Sequence, residues 1–200
     1  MNTNEANNSS SSQSSRSKMF LLLYDIFETI LICFIIILIL SSFFVKTCTV
    51  EGNSMLNTLE DGDRLIISDL FYSSKEGDIV VFHDTENLNK FIVKRVISTG
   101  NKWVRIDYDN QLIYVSDDNT FDENEIIDES EYIYLDIGRY KGFNDIETTY
   151  VPEGHLFVLG DNRNNSVDSR SEAIGLVDER TVIGKVIFRL FPYDKLGMVK

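Results

Sequence analysis

The chain has 200 residues, 26% of them charged and 43% hydrophobic, which suits one soluble domain plus an appendage. Its formal net charge is -13; a chain this acidic repels phosphate backbones, so nucleic acid is excluded as a partner. The two cysteines, Cys33 and Cys48, fall inside and outside an apolar run, which argues against a disulfide between them and places the chain in no particular redox compartment.

Residues 1–18, MNTNEANNSSSSQSSRSK, are rich in Asn and Ser and carry no apolar period, and they are expected to form a disordered tail. Residues 19–45 follow as an apolar run. Asp25 and Glu28 interrupt its start, but no charge occurs from Thr29 to Val45. Those residues alone reach roughly 25 Å as a helix, near the lower limit for crossing a bilayer, and the preceding MFLLLYDIF lengthens the span. A buried core helix would show a polar face, and a cleaved signal peptide would be shorter with an A-x-A-like exit rather than SSFFVKTCTV. An uncleaved transmembrane anchor fits best. Arg16 and Lys18 precede it and only Lys46 follows closely, so the tail is expected in the cytoplasm and residues 46–200 outside the plasma membrane.

The outer part reads as strands: 63–68, 78–83, 91–98, 103–108, 112–115, 155–160 and 181–191, separated by turn signals such as KEGD, STGN and DNRNN. No long amphipathic helix stands out after the anchor. The expected fold is mainly β, a folded-over antiparallel sheet behind one N-terminal transmembrane helix. Between about 107 and 150 the composition turns acidic, with thirteen Asp and Glu against Arg139 and Lys141. This stretch is expected to be a surface insert rather than core.

Among residues able to carry chemistry, His83 and His155 both end apolar strands, where a structural role is the commoner one. No G-x-S-x-G occurs, and nothing in the spacing supports a Ser-His-Asp triad. Lysine replaces histidine as a general base only if desolvation lowers its pKa by several units. In FIVKRVIS, side chains alternate, so Lys94 shares a face with Ile92 and Val96 while Arg95 points the other way. Lys94 is thus a candidate desolvated base; the same pattern fits a lysine guarding a sheet edge, which is the commoner case for the pattern alone. The loop GDNRNNSVDSR, 160–170, fails as an EF-hand, because Arg163 and Ser166 stand where a ligand and the glycine are required. Its density of Arg and Asp suits either an ordinary turn or a loop held by charge-assisted hydrogen bonds beside an active site.

Three segments occur in order: Gly52-Asn53-Ser54-Met55 with Thr58-Leu59, then Lys94-Arg95-Val96-Ile97, then Gly160-Asp161-Asn162-Arg163 running to Ser166 and Asp168-Ser169-Arg170. With the anchor, they resemble the type I signal peptidases of bacteria. Gly77-Asp78 with the strand 79–82, Gly175-Leu176-Val177 and Gly184-Lys185 are similar to further patterns of that family. The resemblance implies a serine peptidase with Ser54 as nucleophile and Lys94 as base, acting through an acyl-enzyme on membrane-held preprotein signal peptides and needing no cofactor or metal. It implies that Ser166 orients the Lys94 amine, that Asp161 pairs with Arg95, and that Asp168 and Arg170 hold the loop. It also implies that the Ser54 backbone N–H meets the oxyanion.

Three positions depart from the pattern. Gly52 stands where some members have a serine that adds to the oxyanion hole, Asn57 stands in place of a proline, and Ser98-Thr99-Gly100 replaces G-L-P-G. A self-cleaving repressor would carry a DNA-binding domain in place of the anchor, and none is visible; a specialised pilus or prepilin-type maturation peptidase and a non-catalytic membrane-tethered binding protein remain alternatives. The resemblance sets no oligomeric state.

Ser54 lies nine residues after Val45, so the extended tether reaches only about 30 Å and the nucleophile is expected near the lipid bilayer, in the same plane as its substrates. Met55 and the Leu70-Phe71-Tyr72 cluster suit either that interface or the core, with the core favoured for Leu70.

Overall fold

The computed structural model describes residues 4–84, 89–108, 110–133 and 148–199, and the side chains of its long helix from 18 to 39. The chain forms two units, Met1–Phe44 and Val45–Lys200.

The first unit holds helix α1, Asn4–Phe44. Within it Lys18–Ile39 is long and apolar enough to cross a membrane. Its described side chains are exposed, Phe20, Ile30 and Ile37 among them. The expected irregular tail differs here, because the helix already begins at Asn4. Once the apolar segment supplies a nucleus, each added residue gains a backbone hydrogen bond at little cost, and Ser, Asn and Gln extend the helix despite middling propensity.

The second unit is built from strands β1 (Val45–Thr49), β2 (Arg64–Ser68), β3 (Ile79–Asp84), β4 (Lys90–Ser98), β5 (Lys102–Asp107), β6 (Leu112–Ser116), β7 (Thr149–Val151), β8 (His155–Leu159), β9 (Val177–Asp178), β10 (Val182–Phe191) and β11 (Gly197–Met198). The larger sheet runs β1-β2-β10-β3-β4-β8-β9, with β11 also on β10; a smaller one runs β6-β5-β7. Every pairing is antiparallel. The fold is therefore mainly β with one N-terminal apolar helix.

The centre of the large sheet is apolar on both faces. Along β3, Ile79 and Val81 join Met55, Leu59, Leu65 and Val186 in one cluster, while Val80 and Phe82 join Ile92, Val96, Leu156 and Val158 in another. The alternation repeats in β8, whose Phe157 and Leu159 face a third cluster with Val104, Ile113 and Val151. A strand buried on both faces reads as the continuous run IVVF, which is why β3 is legible without alternation.

The acidic stretch is more than surface. It includes β6, and Ile113 is buried in the third cluster, because β6 completes the smaller sheet against β5. Residues 109 and 134–147 of that stretch, with Arg139 and Lys141, lie outside the described residues. Leu70 also departs from expectation: it is 46% exposed, and Phe71 beside it is 98% exposed at φ +50°. The chain turns sharply here after β2 and throws both side chains outward. Met55, by contrast, is buried in the core.

Candidate active site

Ser54 sits in the turn between β1 and β2. Met55 and Leu59 are both fully buried, and they pin the turn to the core from either side. Leu59 N donates to Met55 O at 2.7 Å, and Asp61 Oδ1 accepts from Gly52 N at 2.7 Å. Gly52 takes φ +84°, a conformation that glycine adopts without a steric cost. Ser54, half-buried between these anchors, is thereby held at a fixed place with its hydroxyl available.

β4 delivers the next two side chains. Lys94 lies opposite Val80 and Arg95 opposite Ile79, so the two leave opposite faces of the strand. Lys94 is only 3% exposed; its Nζ lies 2.7 Å from Ser54 Oγ and donates to Val93 O at 3.1 Å. Burial pushes its pKa down from 10.5 to about 8, against an opposing pull from the Asp168 carboxylate. At neutral pH that raises the neutral fraction from well under 0.1% to roughly 10%. Arg95, 2% exposed, is fully committed elsewhere: its Nε and NH2 donate to the two Asp161 oxygens at 2.9 and 2.7 Å, and its NH1 donates to Gly77 O.

The loop after β8 forms the third wall. Asp168 Oδ1 accepts from Arg170 Nε at 2.8 Å and Oδ2 from Arg170 NH2 at 2.9 Å, a bidentate pair with both members buried. Gly160 N donates to Asp168 Oδ2. Ser169 Oγ accepts from Val158 N, which stitches the end of the loop back onto β8. Asn162 grips the nucleophile turn, its backbone N donating to Ser54 O and its Nδ2 to Asn53 O, both at 3.0 Å. Glycine is required at 160 for lack of space: a Cβ there would meet Ser166 Oγ at 2.2 Å and Ser54 O at 2.5 Å. The closeness places the Ser166 side chain beside the Ser54 backbone.

All seven residues expected at the site thus lie in one neighbourhood around Ser54. One expected contact is not formed. Ser166 Oγ is buried without a hydrogen-bond partner among the described residues, while the Lys94 amine bonds Ser54 and Val93 instead. The histidines stay apart from Ser54: His83 packs its ring on Phe91, and His155 Nδ1 contacts Glu153 O. Asn57 takes φ +91°, which the ring of a proline forbids, so this turn follows a path that the expected proline could not. Asp78 accepts from Tyr72 OH and pairs with Lys185, joining the Gly77-Asp78 and Gly184-Lys185 patterns to each other.

Some members of the network were not foreseen. Thr58 Oγ1 donates to Asp161 Oδ2, and Arg189 pairs with Asp63 and donates to Thr58 O. Glu129 pairs with buried Arg163, and the Tyr132 ring covers Arg95 with the guanidinium carbon 3.9 Å from its centroid. A signal existed for the Glu129–Arg163 pair: an arginine inside a motif that follows an apolar strand needs a carboxylate, and the acid-rich stretch is the richest source.

The family model described as "Signal peptidase, peptidase S26" matches residues 23–191. Signal peptidase IB of Staphylococcus aureus (strain Mu50) is 35% identical over 177 residues, covering 84% of this chain and 88% of that protein. The chain belongs to the signal peptidase family, peptidase S26. It is accordingly a peptide hydrolase of the signal peptidase I type, a serine peptidase family. A crystal structure of a signal peptidase I from Enterococcus faecalis is also similar, with 24% identity and a TM-score of 0.37, covering 57% of this chain and 97% of that one. In this signal peptidase, an apolar N-terminal helix able to cross a membrane precedes the β unit that holds Ser54 and Lys94.

Proposed function

We propose that this signal peptidase removes signal peptides from exported preproteins with a Ser54–Lys94 dyad, acting through an acyl-enzyme. The observation that carries the reading is the 2.7 Å approach of the Lys94 amine, nearly inaccessible to water, to the Ser54 hydroxyl. An amine with a pKa near 8 is neutral in roughly one molecule in ten at neutral pH, and that form can take the hydroxyl proton as Oγ attacks the scissile carbonyl. The new C–O bond forms as the carbonyl π pair moves onto oxygen. The Ser54 N–H receives that oxyanion; it donates to no backbone group among the described residues, which supports this role. Collapse expels the amine of the mature protein, which takes its proton from the Lys94 ammonium. Water then attacks the ester with neutral Lys94 as base, and Ser54 is restored.

Asp168 supports the cycle by favouring the ammonium while the proton is held. Helix α1 anchors the enzyme with its tail in the cytoplasm and residues 46–200 outside, in the plane where the apolar segment of a signal peptide is itself held. The substrate binds extended, with small side chains at the first and third places before the cut. The test incubates detergent-solubilised protein with a preprotein beside Ser54→Ala and Lys94→Ala. The wild type releases the mature protein and both variants leave the precursor intact; equal behaviour of all three would end the catalytic reading and favour a tethered binding protein.

A further inference from the structure

We infer that Glu129 and Tyr132, from the acidic stretch between β6 and β7, are positioning residues that brace the catalytic loop through Arg163 and Arg95. The inference rests on the serine–lysine reading above and assigns work to a segment whose composition suggests only solvated surface.

Glu129 is only 6% exposed although it belongs to a run of acids, and Arg163 is 1% exposed. Both Glu129 oxygens accept from the Arg163 guanidinium, with NH1 at 2.6 Å from Oε2. The third guanidinium nitrogen, Nε, donates to Gly160 O at 3.0 Å, and Arg163 O accepts from Arg170 NH2 at 2.8 Å. Glu129 therefore orients an arginine that ties both ends of the loop together. Gly160 in turn packs against the Ser54 carbonyl, and Asn162, next to Arg163, donates to that same carbonyl. Three contacts thus connect the Glu129 carboxylate to the peptide that carries the nucleophile.

Tyr132 supplies a second branch. Its ring centroid lies 3.9 Å from the Arg95 guanidinium carbon, its hydroxyl donates to Glu129 Oε1 at 3.2 Å, and its carbonyl accepts a long contact from Asn57 Nδ2 at 3.4 Å. The turn from Glu129 to Ile133 is closed by Tyr132 N and Ile133 N donating to Glu129 O. At position 57, where the family pattern has a proline, the turn behind the nucleophile meets the insert. Two buried arginine–carboxylate pairs, Arg95–Asp161 and Arg163–Glu129, are thereby covered or completed by one four-residue segment.

An ester of a short signal-peptide end tests this, because the burst of released alcohol counts acylating sites and its rate constant reports each site's geometry. For Glu129→Gln, the acylation rate constant per counted site falls about 100-fold, the cost of a displaced reacting group, while KM stays within about threefold. That variant removes the Glu129 carboxylate from buried Arg163 and can lose stability for that reason alone, so the double variant Glu129→Met with Arg163→Met is measured beside it. Removing both charges restores thermal stability without restoring the tether, and the rate constant per site stays low. A per-site rate constant at the wild-type level in the double variant would overturn the brace and reduce the pair to a structural contact. Failure of the parent reading looks different: Ser54→Ala would then give the same burst as wild type.

Discussion

Lys94 and Arg95 are neighbours on β4, equally buried, and carry opposite assignments. Arg95 meets a carboxylate with two hydrogen bonds and stacks under an aromatic ring, so its charge is fully compensated. Lys94 meets a hydroxyl and a carbonyl, neither of them charged, and burial lowers its pKa to about 8. The two faces of one strand show what turns a buried cation into a base: no direct carboxylate partner among the described residues, combined with exclusion of water. Arginine suits the structural face because its guanidinium stays charged and its fork matches a carboxylate, whereas lysine suits the other because its amine can lose a proton.

The comparison breaks most sharply with Lys94→Arg. The variant keeps a buried cation but removes any neutral base, and preprotein cleavage falls by at least about 1,000-fold on the scale of lost general-base and nucleophile activation. Retention of substantial cleavage in a gel assay would show that a neutral amine at 94 is dispensable. On the opposite face, Asp161→Asn leaves Arg95 buried with no carboxylate, which costs about 3–5 kcal/mol and lowers the thermal midpoint seen by calorimetry. An unchanged midpoint would mean that the Arg95–Asp161 pair is not what holds the turn at Thr58.

Asp168→Asn sharpens the Lys94 side. The Asp168 carboxylate raises the Lys94 pKa, so removing its charge lets burial drive that pKa further below about 8. The rising limb of kcat/KM against pH then moves to lower pH, as base deprotonation begins earlier; a limb that stays put or moves upward would contradict the sign. The smallest effects fall on Asn57. At φ +91° a glycine is tolerated with little change, whereas Asn57→Pro destabilises by more than about 1 kcal/mol, both read by chemical denaturation.

Much of this arrangement was legible in the residues. The seven strands expected from β-rich runs match β2, β3, β4, β5, β6, β8 and β10 within a residue or two, because the core selects the same apolar positions that the reading used. Alternation alone separated Lys94 from Arg95. Strands β1, β7, β9 and β11 were missed: β1 directly follows the apolar run, and the others are only two or three residues long, too short to show a period. Glu129 was one acid among thirteen, and no local pattern distinguishes the one that meets a buried arginine across the fold. Leu70 was misjudged for a related reason, since hydrophobicity does not say which way a turn throws a side chain.

The most direct measurement is an NMR titration of lysine side chains labelled at Cε, with Lys94→Arg used to assign the signal, run beside the pH dependence of single-turnover acylation. The account predicts that the Lys94 signal titrates near 8 and that acylation rises through the same midpoint. A Lys94 signal titrating near the free value of about 10.4, or acylation flat across that range, would contradict it.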